Sequence, residues 1–235
     1  MIATPDVLAG IPALPIAVAK VLEETGRDEP DQRVLTRAIE TDAGLAAKML
    51  SLVNSPYYGL NGTVTSLGQA VMIVGMRQVR NVALAVGALR SIPGIPAPIV
   101  DAFLDRAMIT AKTARALASG AGLPAADADT AHLGGLLRGV GVLVALRMGN
   151  RNPDDAEVAR LARLVLEHWK LPPAIVAAAA DSAGPFGPGD PPTSAHAVYV
   201  ASMVIGGKAA SADPDALASL GTTVEALSFF DPLVK

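Results

Sequence analysis

The sequence predicts an all-α fold. Hydrophobic residues make up 51% of the 235 positions but aromatic residues only 3%. The core must therefore be built from small aliphatic side chains in close contact, which favours helices. Apolar residues recur at helical spacing, and no stretch alternates apolar and polar residues as a half-buried strand would. The length is sufficient for one large domain or two smaller lobes.

The first predicted helix lies in "ALPIAVAKVLEETG", with Pro15 at its start and Gly26 at its end. Proline fits the first turn of a helix because its missing N–H has no intrahelical partner there, and glycine commonly ends helices. The helix is amphipathic: Val18, Val21 and Leu22 form one face, and Lys20, Glu23 and Glu24 lie off it.

Four more helices are predicted before residue 91. The second carries Val34, Leu35, Ala38 and Ile39 at helical spacing. Asp42 is the expected N-cap of the third, and Ser66 caps the fourth, because short polar side chains accept hydrogen bonds from free N–H groups in the first turn. Gly75 separates the fourth helix from the fifth, "MRQVRNVALAVGALR".

A proline-rich linker, 91–98 ("SIPGIPAP"), divides the predicted lobes 1–92 and 99–235, because proline removes backbone donors and disfavours helix just before itself. The second lobe begins with a helix over about 99–119. Asn152 and Pro153 are expected to start another, and further helices are expected over about 173–181 and 194–210, on either side of a loop at 182–192.

Composition excludes several classes of protein. The chain has no cysteine, which excludes disulfides, thiolate metal sites and a cysteine nucleophile. The net charge of −3 argues against general nucleic-acid binding, although a local basic patch remains compatible with it. Charged and turn-forming residues interrupt every apolar stretch, and the N-terminus lacks a signal-peptide pattern, so we expect a cytoplasmic protein without a membrane span.

Two long segments resemble the HDOD domain: "IETDAGLAAKMLSLVNSPYYG" at 39–59 and "VTSLGQAVMIVGMRQVRNVAL" at 64–84. The agreement includes the aspartate before the third helix, the Asn-Ser break and the Thr-Ser helix start. The resemblance implies a bacterial, all-helical regulator related in fold to the HD metal phosphohydrolases, with an N-terminal helical lobe packed on an HD-like C-terminal lobe. Such a module works through protein contacts in a signalling pathway.

The resemblance also implies that the HD metal site is degenerate. In "HLGGLLRGVGVLVAL", Arg138 and Gly139 stand where HD enzymes carry a His-Asp pair, and in "HWKLPPAIVAAAADS", Asp181 and Ser182 stand where HDOD relatives often carry histidines. A guanidinium at a former ligand position repels a cation. We therefore expect no catalytic residue, no metal ligand and no cofactor, and a retained pocket near Arg138, Asp181 and Ser182.

The three histidines have structural interpretations, and none has a partner at metal-ligand spacing. His132 is expected to begin an apolar helix and to serve as a packing or helix-end residue. His168 lies at a helix end, where a cation suits the dipole, and His196 is expected to be exposed. The glycines around Arg138 are expected to permit close helix packing.

The stretch "NSPYYG" is predicted to break a helix and build a corner. Asn54 and Ser55 bond backbone groups that Pro56 leaves free, and Gly59 permits the reversal. Tyr57 and Tyr58 are expected to point in different directions, with one ring in the core and the other at the surface.

No acidic residue occurs from Ala43 to Val100. A patch in this stretch could bind an acidic protein face, a nucleotide phosphate or nucleic acid; the alternative is an ordinary solvated helix face. The preferred hypothesis is a non-catalytic module that binds a protein partner, with nucleotide sensing as a further role; nucleic-acid binding and metal-dependent hydrolysis are the alternatives. The candidate partner surface consists of Lys48, Tyr57, Tyr58, Arg77, Arg80 and Arg90.

Overall fold

The computed structural model describes residues 7–60, 63–184 and 186–227, and every regular element within these ranges is a helix. They form two compact units. The smaller unit is Pro12–Ser91, and the larger one combines the described residues up to Ile11 with those from Ile92 onward. The division after Ser91 falls at the predicted linker, whereas the residues up to Ile11 join the larger unit rather than the N-terminal lobe.

The smaller unit contains five helices arranged around the last of them. They are α1 Ile16–Thr25, α2 Gln32–Glu40, α3 Ala43–Val53, α4 Leu67–Val74 and α5 Met76–Arg90. Helix α5 contacts each of the other four, and its residues 81–89 are all buried. A Cβ atom on Gly87 would lie 2.1 Å from Cγ2 of Val18, so this glycine is what lets α1 pack so closely on α5.

The local signals for helix ends in this unit are confirmed. The Asp42 side chain accepts a hydrogen bond from the Leu45 N–H, and the Ser66 side chain accepts one from the Gln69 N–H. Gly75 separates α4 from α5 with a φ of 88°, a conformation that side-chain-bearing residues rarely adopt.

Two assignments of helix faces in the smaller unit are wrong. Glu24 is buried rather than off the packed face, because its carboxylate accepts a hydrogen bond from the Asp31 N–H at 2.7 Å and pairs with Arg27 at 3.3 Å. Val34, expected on the apolar face of α2, is exposed.

The larger unit packs α6, α7 and α11 against one another, and α10 joins α7 to the α8–α9 pair. Its helices are α6 Ala97–Gly120, α7 Ala125–Leu137, α8 Gly139–Arg147, α9 Asp155–His168, α10 Pro173–Ala180, α11 Ser194–Ile205, α12 Pro214–Ser219 and α13 Val224–Leu227, with 3₁₀ turns at Asp181–Ala183 and Ala209–Ser211.

Two predicted helix ends in the larger unit are wrong. The N-cap of α9 is Asp154, whose side chain accepts from the Glu157 N–H, rather than Asn152. Helix α11 ends at Ile205 and is followed by a separate 3₁₀ turn, so the helix expected to reach residue 210 is shorter. The predicted loop at 182–192 begins within the 3₁₀ turn Asp181–Ala183, and its described residues 186–192 contain no helix.

Glycines around Arg138 permit close helix packing, as predicted. A Cβ atom on Gly134 would lie 2.7 Å from the Ala178 side chain of α10, and one on Gly135 would lie 2.8 Å from the backbone of Ala111 in α6. On Gly141 it would lie 2.0 Å from the Val158 carbonyl oxygen of α9. These glycines bring the backbones of neighbouring helices into contact beside Arg138.

One segment of the described chain, Ala125–Arg147, has the length and hydropathy of a membrane-crossing helix. It comprises α7 and α8, and 72% of its apolar window is buried inside the fold. Burial to that extent is typical of a core helix in a globular domain.

Candidate functional site

Arg138 lies between α7 and α8, and its guanidinium reaches two other parts of the larger unit. Its Nη1 donates to the Ser182 carbonyl oxygen at 2.8 Å and also contacts the Ser182 hydroxyl. Its Nη2 donates to Oδ1 of Asp155 at 3.0 Å. The structure therefore brings Arg138 and Ser182 together across 44 positions of sequence.

The Arg138 side chain is only 14% exposed. Burial lowers the pKa of Arg138, and the neighbouring Asp155 carboxylate opposes that shift. A guanidinium nevertheless stays protonated at neutral pH, so a fixed positive charge occupies this position. Ser182 is fully buried, and its hydroxyl donates to the Ala179 carbonyl oxygen at 2.9 Å.

A cavity of about 520 Å³ opens beside Arg138 and Gly139. Two cationic side chains line it, Arg138 and Arg106, together with the aromatic ring of Phe103. Arg106 comes from α6, and its Nη2 donates to the Ile205 carbonyl oxygen at 3.2 Å. Arg106, Phe103 and Asp155 were not predicted as site residues, because no local sequence pattern indicates that α6 and the start of α9 meet at this cavity.

Asp181 does not join Arg138. Its carboxylate pairs instead with Arg163 of α9, which also approaches Glu167 at 3.5 Å. The hydrogen bond that Arg163 donates to the Asp181 carboxylate raises the pKa of Arg163. Asp181 lines a second cavity of about 590 Å³, beside Phe186 and His196. The predicted single pocket at Arg138, Asp181 and Ser182 does not form: Arg138 lines the first cavity, Asp181 lines the second, and Ser182 lines neither of them.

The histidines lie apart, and two expectations about them are wrong. His132 lies in the middle of α7 rather than at its start; it is buried, and burial lowers its pKa to about 4. His196 is buried rather than exposed, with its ring 4.4 Å from that of Phe186 and its Nδ1 2.6 Å from the Thr193 hydroxyl. His168 ends α9, as predicted. Across the described ranges, no three His, Asp or Glu side chains gather to hold a metal ion.

The "NSPYYG" stretch forms a corner after α3. The Asn54 side chain donates to the Leu50 and Val64 carbonyl oxygens at 2.9 and 2.8 Å, and it accepts from the Val64 N–H at 2.8 Å. The Ser55 hydroxyl donates to the Leu52 carbonyl oxygen at 2.6 Å. After Pro56 the chain turns, and Gly59 has a φ of 58°. Asn54 thus ties the end of α3 to the segment before α4.

The two tyrosines of this corner do not point apart as expected. Their ring centroids are 4.7 Å apart at an interplanar angle of 80°, an edge-to-face contact. The expectation fails because α3 ends at Val53, so helical geometry no longer separates Tyr57 from Tyr58. Both residues are partly buried, and burial raises the pKa of Tyr58 to about 12.

The predicted basic surface is unevenly exposed. Arg77 and Arg90 are exposed, and Lys48 and Arg80 are partly buried. Nε of Arg80 donates to Oδ1 of Asn81 at 3.0 Å, and Nη1 of Arg90 donates to the Gly44 carbonyl oxygen at 3.0 Å. Two exposed apolar side chains that were not predicted as part of this surface precede Arg77 in the chain. Met72 is 79% exposed and Ile73 is 54% exposed.

The fold and the site geometry define an all-helical protein with a largely buried arginine between two helices of its larger unit. A family model described as "HDOD domain" matches residues 11–158, and the chain belongs to this family. An uncharacterized protein of Treponema pallidum (strain Nichols) is 31% identical over 142 residues, which are 59% of this chain and 27% of that protein. The chain thus spans only about a quarter of that relative.

Two solved structures share the fold. A protein of Marinobacter aquaeolei VT8 whose name proposes a signal transduction role matches with a TM-score of 0.71 and 21% identity, over 100% of this chain and 59% of that one. A protein of Shewanella amazonensis SB2B whose name proposes a metal-dependent phosphohydrolase matches with a TM-score of 0.61 and 18% identity, over 94% and 92%.

Proposed function

We propose that this chain is a non-catalytic signalling module that binds a protein partner in the bacterial cytoplasm. The observation that carries the proposal is the Arg138 guanidinium, held by Ser182 and Asp155 where the resemblance to HD enzymes places metal ligands. A fixed positive charge repels a divalent cation, and without the cation no water or phosphate is activated for hydrolysis. The lack of cysteine fits a reducing compartment.

The partner surface that we propose lies on the smaller unit and extends the predicted basic residues by the apolar pair Met72 and Ile73. The pair precedes Arg77 by only a few positions, and the whole stretch from Ala43 to Val100 contains no carboxylate. A partner segment that carries both acidic and apolar side chains complements such a surface, because charge steers the encounter and apolar burial stabilises the complex.

Affinity capture with matched variants tests this surface. We expect Arg77→Glu and Met72→Lys each to release proteins that the wild-type chain retains from a lysate of its native host. The first variant reverses a positive charge of the surface, and the second replaces an exposed apolar side chain by a charged one. Arg151→Glu is the control, since Arg151 is exposed in the larger unit. Identical retained proteins for all four forms would contradict the proposed surface.

Metal-dependent hydrolysis is the competing function, favoured by the name of the Shewanella amazonensis protein. Elemental analysis of the purified chain, followed by assay of bis(4-nitrophenyl) phosphate with added Mn²⁺, separates the two. We expect less than stoichiometric metal and no hydrolysis above background. Turnover that disappears on chelation and falls in the Asp155→Asn variant would overturn the non-catalytic proposal.

Nucleic-acid binding is the second alternative, favoured by the acid-free stretch. Phosphate contacts release counterions, so such binding must weaken as salt rises. A gel-shift assay at two salt concentrations, with wild type and the double variant Arg77→Ala/Arg80→Ala, measures this. A salt-sensitive shift that the double variant loses would favour nucleic acid over a protein partner.

A further inference from the structure

The cavity beside Arg138 combines features that suit one class of small molecule. Its volume of about 520 Å³ falls within the range of about 300–1,000 Å³ typical of ligand pockets. We propose that it binds a phosphate monoester carried on a flat apolar body, and that Asp155 competes with the phosphate for Arg138. The inference rests on the proposed non-catalytic function, because the monoester must be held and not cleaved.

The charges in the cavity favour a doubly charged anion. Arg106 and Arg138 contribute two positive charges and Asp155 one negative charge. If the Asp155 carboxylate turns away, the two guanidinium groups face the ligand uncompensated, and a monoester with close to two negative charges at neutral pH balances them. Planar guanidinium groups also bind phosphate oxygens through paired N–H donors, which an ammonium group cannot do.

The remaining wall favours an apolar, flat body. Phe103, Val142, Val158 and Ile205 line the cavity together with Gly139. The closest neighbour to a Cβ atom on Gly139 would be Cδ1 of Phe103, at 3.4 Å, so the glycine leaves the face of the cavity beside this ring open. An aromatic side chain next to open space accepts a planar ring by offset or edge contact.

The Asp155 carboxylate can compete with the phosphate for Arg138 because most of its side chain is exposed to solvent. Its side chain is 65% exposed, and the N-cap of α9 is Asp154 rather than Asp155. Rotation of the Asp155 carboxylate into solvent therefore leaves the cap intact. Nη1 of Arg138 stays bound to Ser182, which holds the guanidinium in place while Nη2 becomes available to the ligand.

Calorimetric titration with two defined probes tests the proposal. AMP and 1-naphthyl phosphate share the monoester and the flat body, and they distinguish a nucleoside from a simple aryl ligand. Adenosine, 1-naphthol and inorganic phosphate are the controls. We expect at least one monoester to bind about tenfold more tightly than its dephosphorylated form and than inorganic phosphate, the factor expected from one charge-assisted contact.

Variants that leave the Ser182 contacts in place assign the binding to this cavity. Arg106→Gln should weaken the monoester about tenfold through the loss of a charged donor, and Asp155→Asn should strengthen it severalfold through the removal of the competing carboxylate. Arg163→Gln is the matched control, because Arg163 pairs with Asp181 outside this cavity and its loss should change the affinity little.

Two results would overturn the inference: no binding of either monoester at millimolar concentration, or binding that Arg106→Gln and Asp155→Asn both leave unchanged. Release of inorganic phosphate from a bound monoester, measured in the same samples, would instead contradict the non-catalytic function. The two failures are therefore distinguishable.

Discussion

Among the residues that the structure describes, His132 is the most deeply buried titratable side chain. It is 1% exposed in the middle of α7, and burial lowers its pKa to about 4, against about 6.5 when unfolded. The unfolded chain therefore binds more protons than the folded chain between these two values. Stability is fully present above about pH 6.5 and falls as the pH drops toward 4, by at most about 3 kcal/mol.

Comparison with His132→Leu isolates this contribution. The leucine variant lacks the titrating ring, so the loss in free energy of unfolding between about pH 7 and pH 4.5 should be smaller than in the wild type. Urea unfolding at the two pH values measures it. Equal pH-dependent losses in both proteins would show that His132 is not a source of the acid sensitivity.

At the residue scale, helix caps could be predicted from the sequence because their hydrogen-bond partners lie within one helical turn. The caps at Asp42 and Ser66 bond backbone groups three positions away, so the local pattern was sufficient. The burial of Glu24 and of His196 depends on segments that fold back onto them, the loop at Asp31 and the loop at Phe186. No local sequence pattern indicates that these two loops fold back onto Glu24 and His196.

At the scale of elements, the contact between α8 and α9 depends on Gly141. Because an added Cβ atom would lie 2.0 Å from a backbone oxygen, Gly141→Ala must push the two helices apart. We expect a loss of about 2–4 kcal/mol in the free energy of unfolding, at or above the upper end for overpacked sites. Thermal and urea unfolding of the variant measure the loss.

Gly120→Ala is the matched control for this substitution. Gly120 is the last residue of α6, and nothing lies within 4 Å of its Cβ position. Alanine has the higher helix propensity, so this variant should be unchanged or stabilised by up to about 1 kcal/mol. Similar destabilisation in both variants would point to a general cost of alanine rather than to the helix contact.

Helix existence was easier to predict than helix ends. The apolar periodicity located the main helices of both units, whereas the start of α9 was misplaced because Asn152 and Asp154 are both good capping residues. In the structure, the Asp154 side chain accepts a hydrogen bond from the Glu157 N–H, three residues further on. The Asn152 N–H donates a hydrogen bond to the Asn150 side chain.

At the scale of the whole molecule, the described residues 7–11 belong to the larger unit. Val7 and Ile11 are buried, and the Ala9 carbonyl oxygen accepts a hydrogen bond from Nη2 of Arg147 at 2.8 Å. Val7→Ser should therefore destabilise the larger unit by about 1–3 kcal/mol, through lost apolar burial and an added hydroxyl. Trp169, the single tryptophan and a buried residue of this unit, reports its unfolding by fluorescence.

Ala9→Ser is the control, since the Ala9 side chain is exposed and its carbonyl group is retained. A lower unfolding midpoint in Trp169 fluorescence for Val7→Ser alone is expected. No change in either variant would mean that this segment adds nothing to the larger unit.

The candidate site was predicted in part. The proximity of Arg138 and Ser182 was anticipated from the resemblance, which implied a retained pocket near these two residues. Arg106 and Asp155 could not be predicted, because they come to the same cavity from two different helices, α6 and α9. Asp181 adjoins Ser182 yet turns to Arg163, a choice set by how α9 and α10 pack.

The discontinuity of the larger unit has a consequence for synthesis. Residues 7–11 leave the ribosome before the rest of the larger unit, and Arg147 follows Ala9 by 138 positions. At translation rates of about 5–20 residues per second, that interval lasts roughly 7–30 seconds. The unit Pro12–Ser91 emerges completely within it and can fold while the N-terminal segment has no binding site. Docking of that segment is therefore a late event in the maturation of the nascent chain.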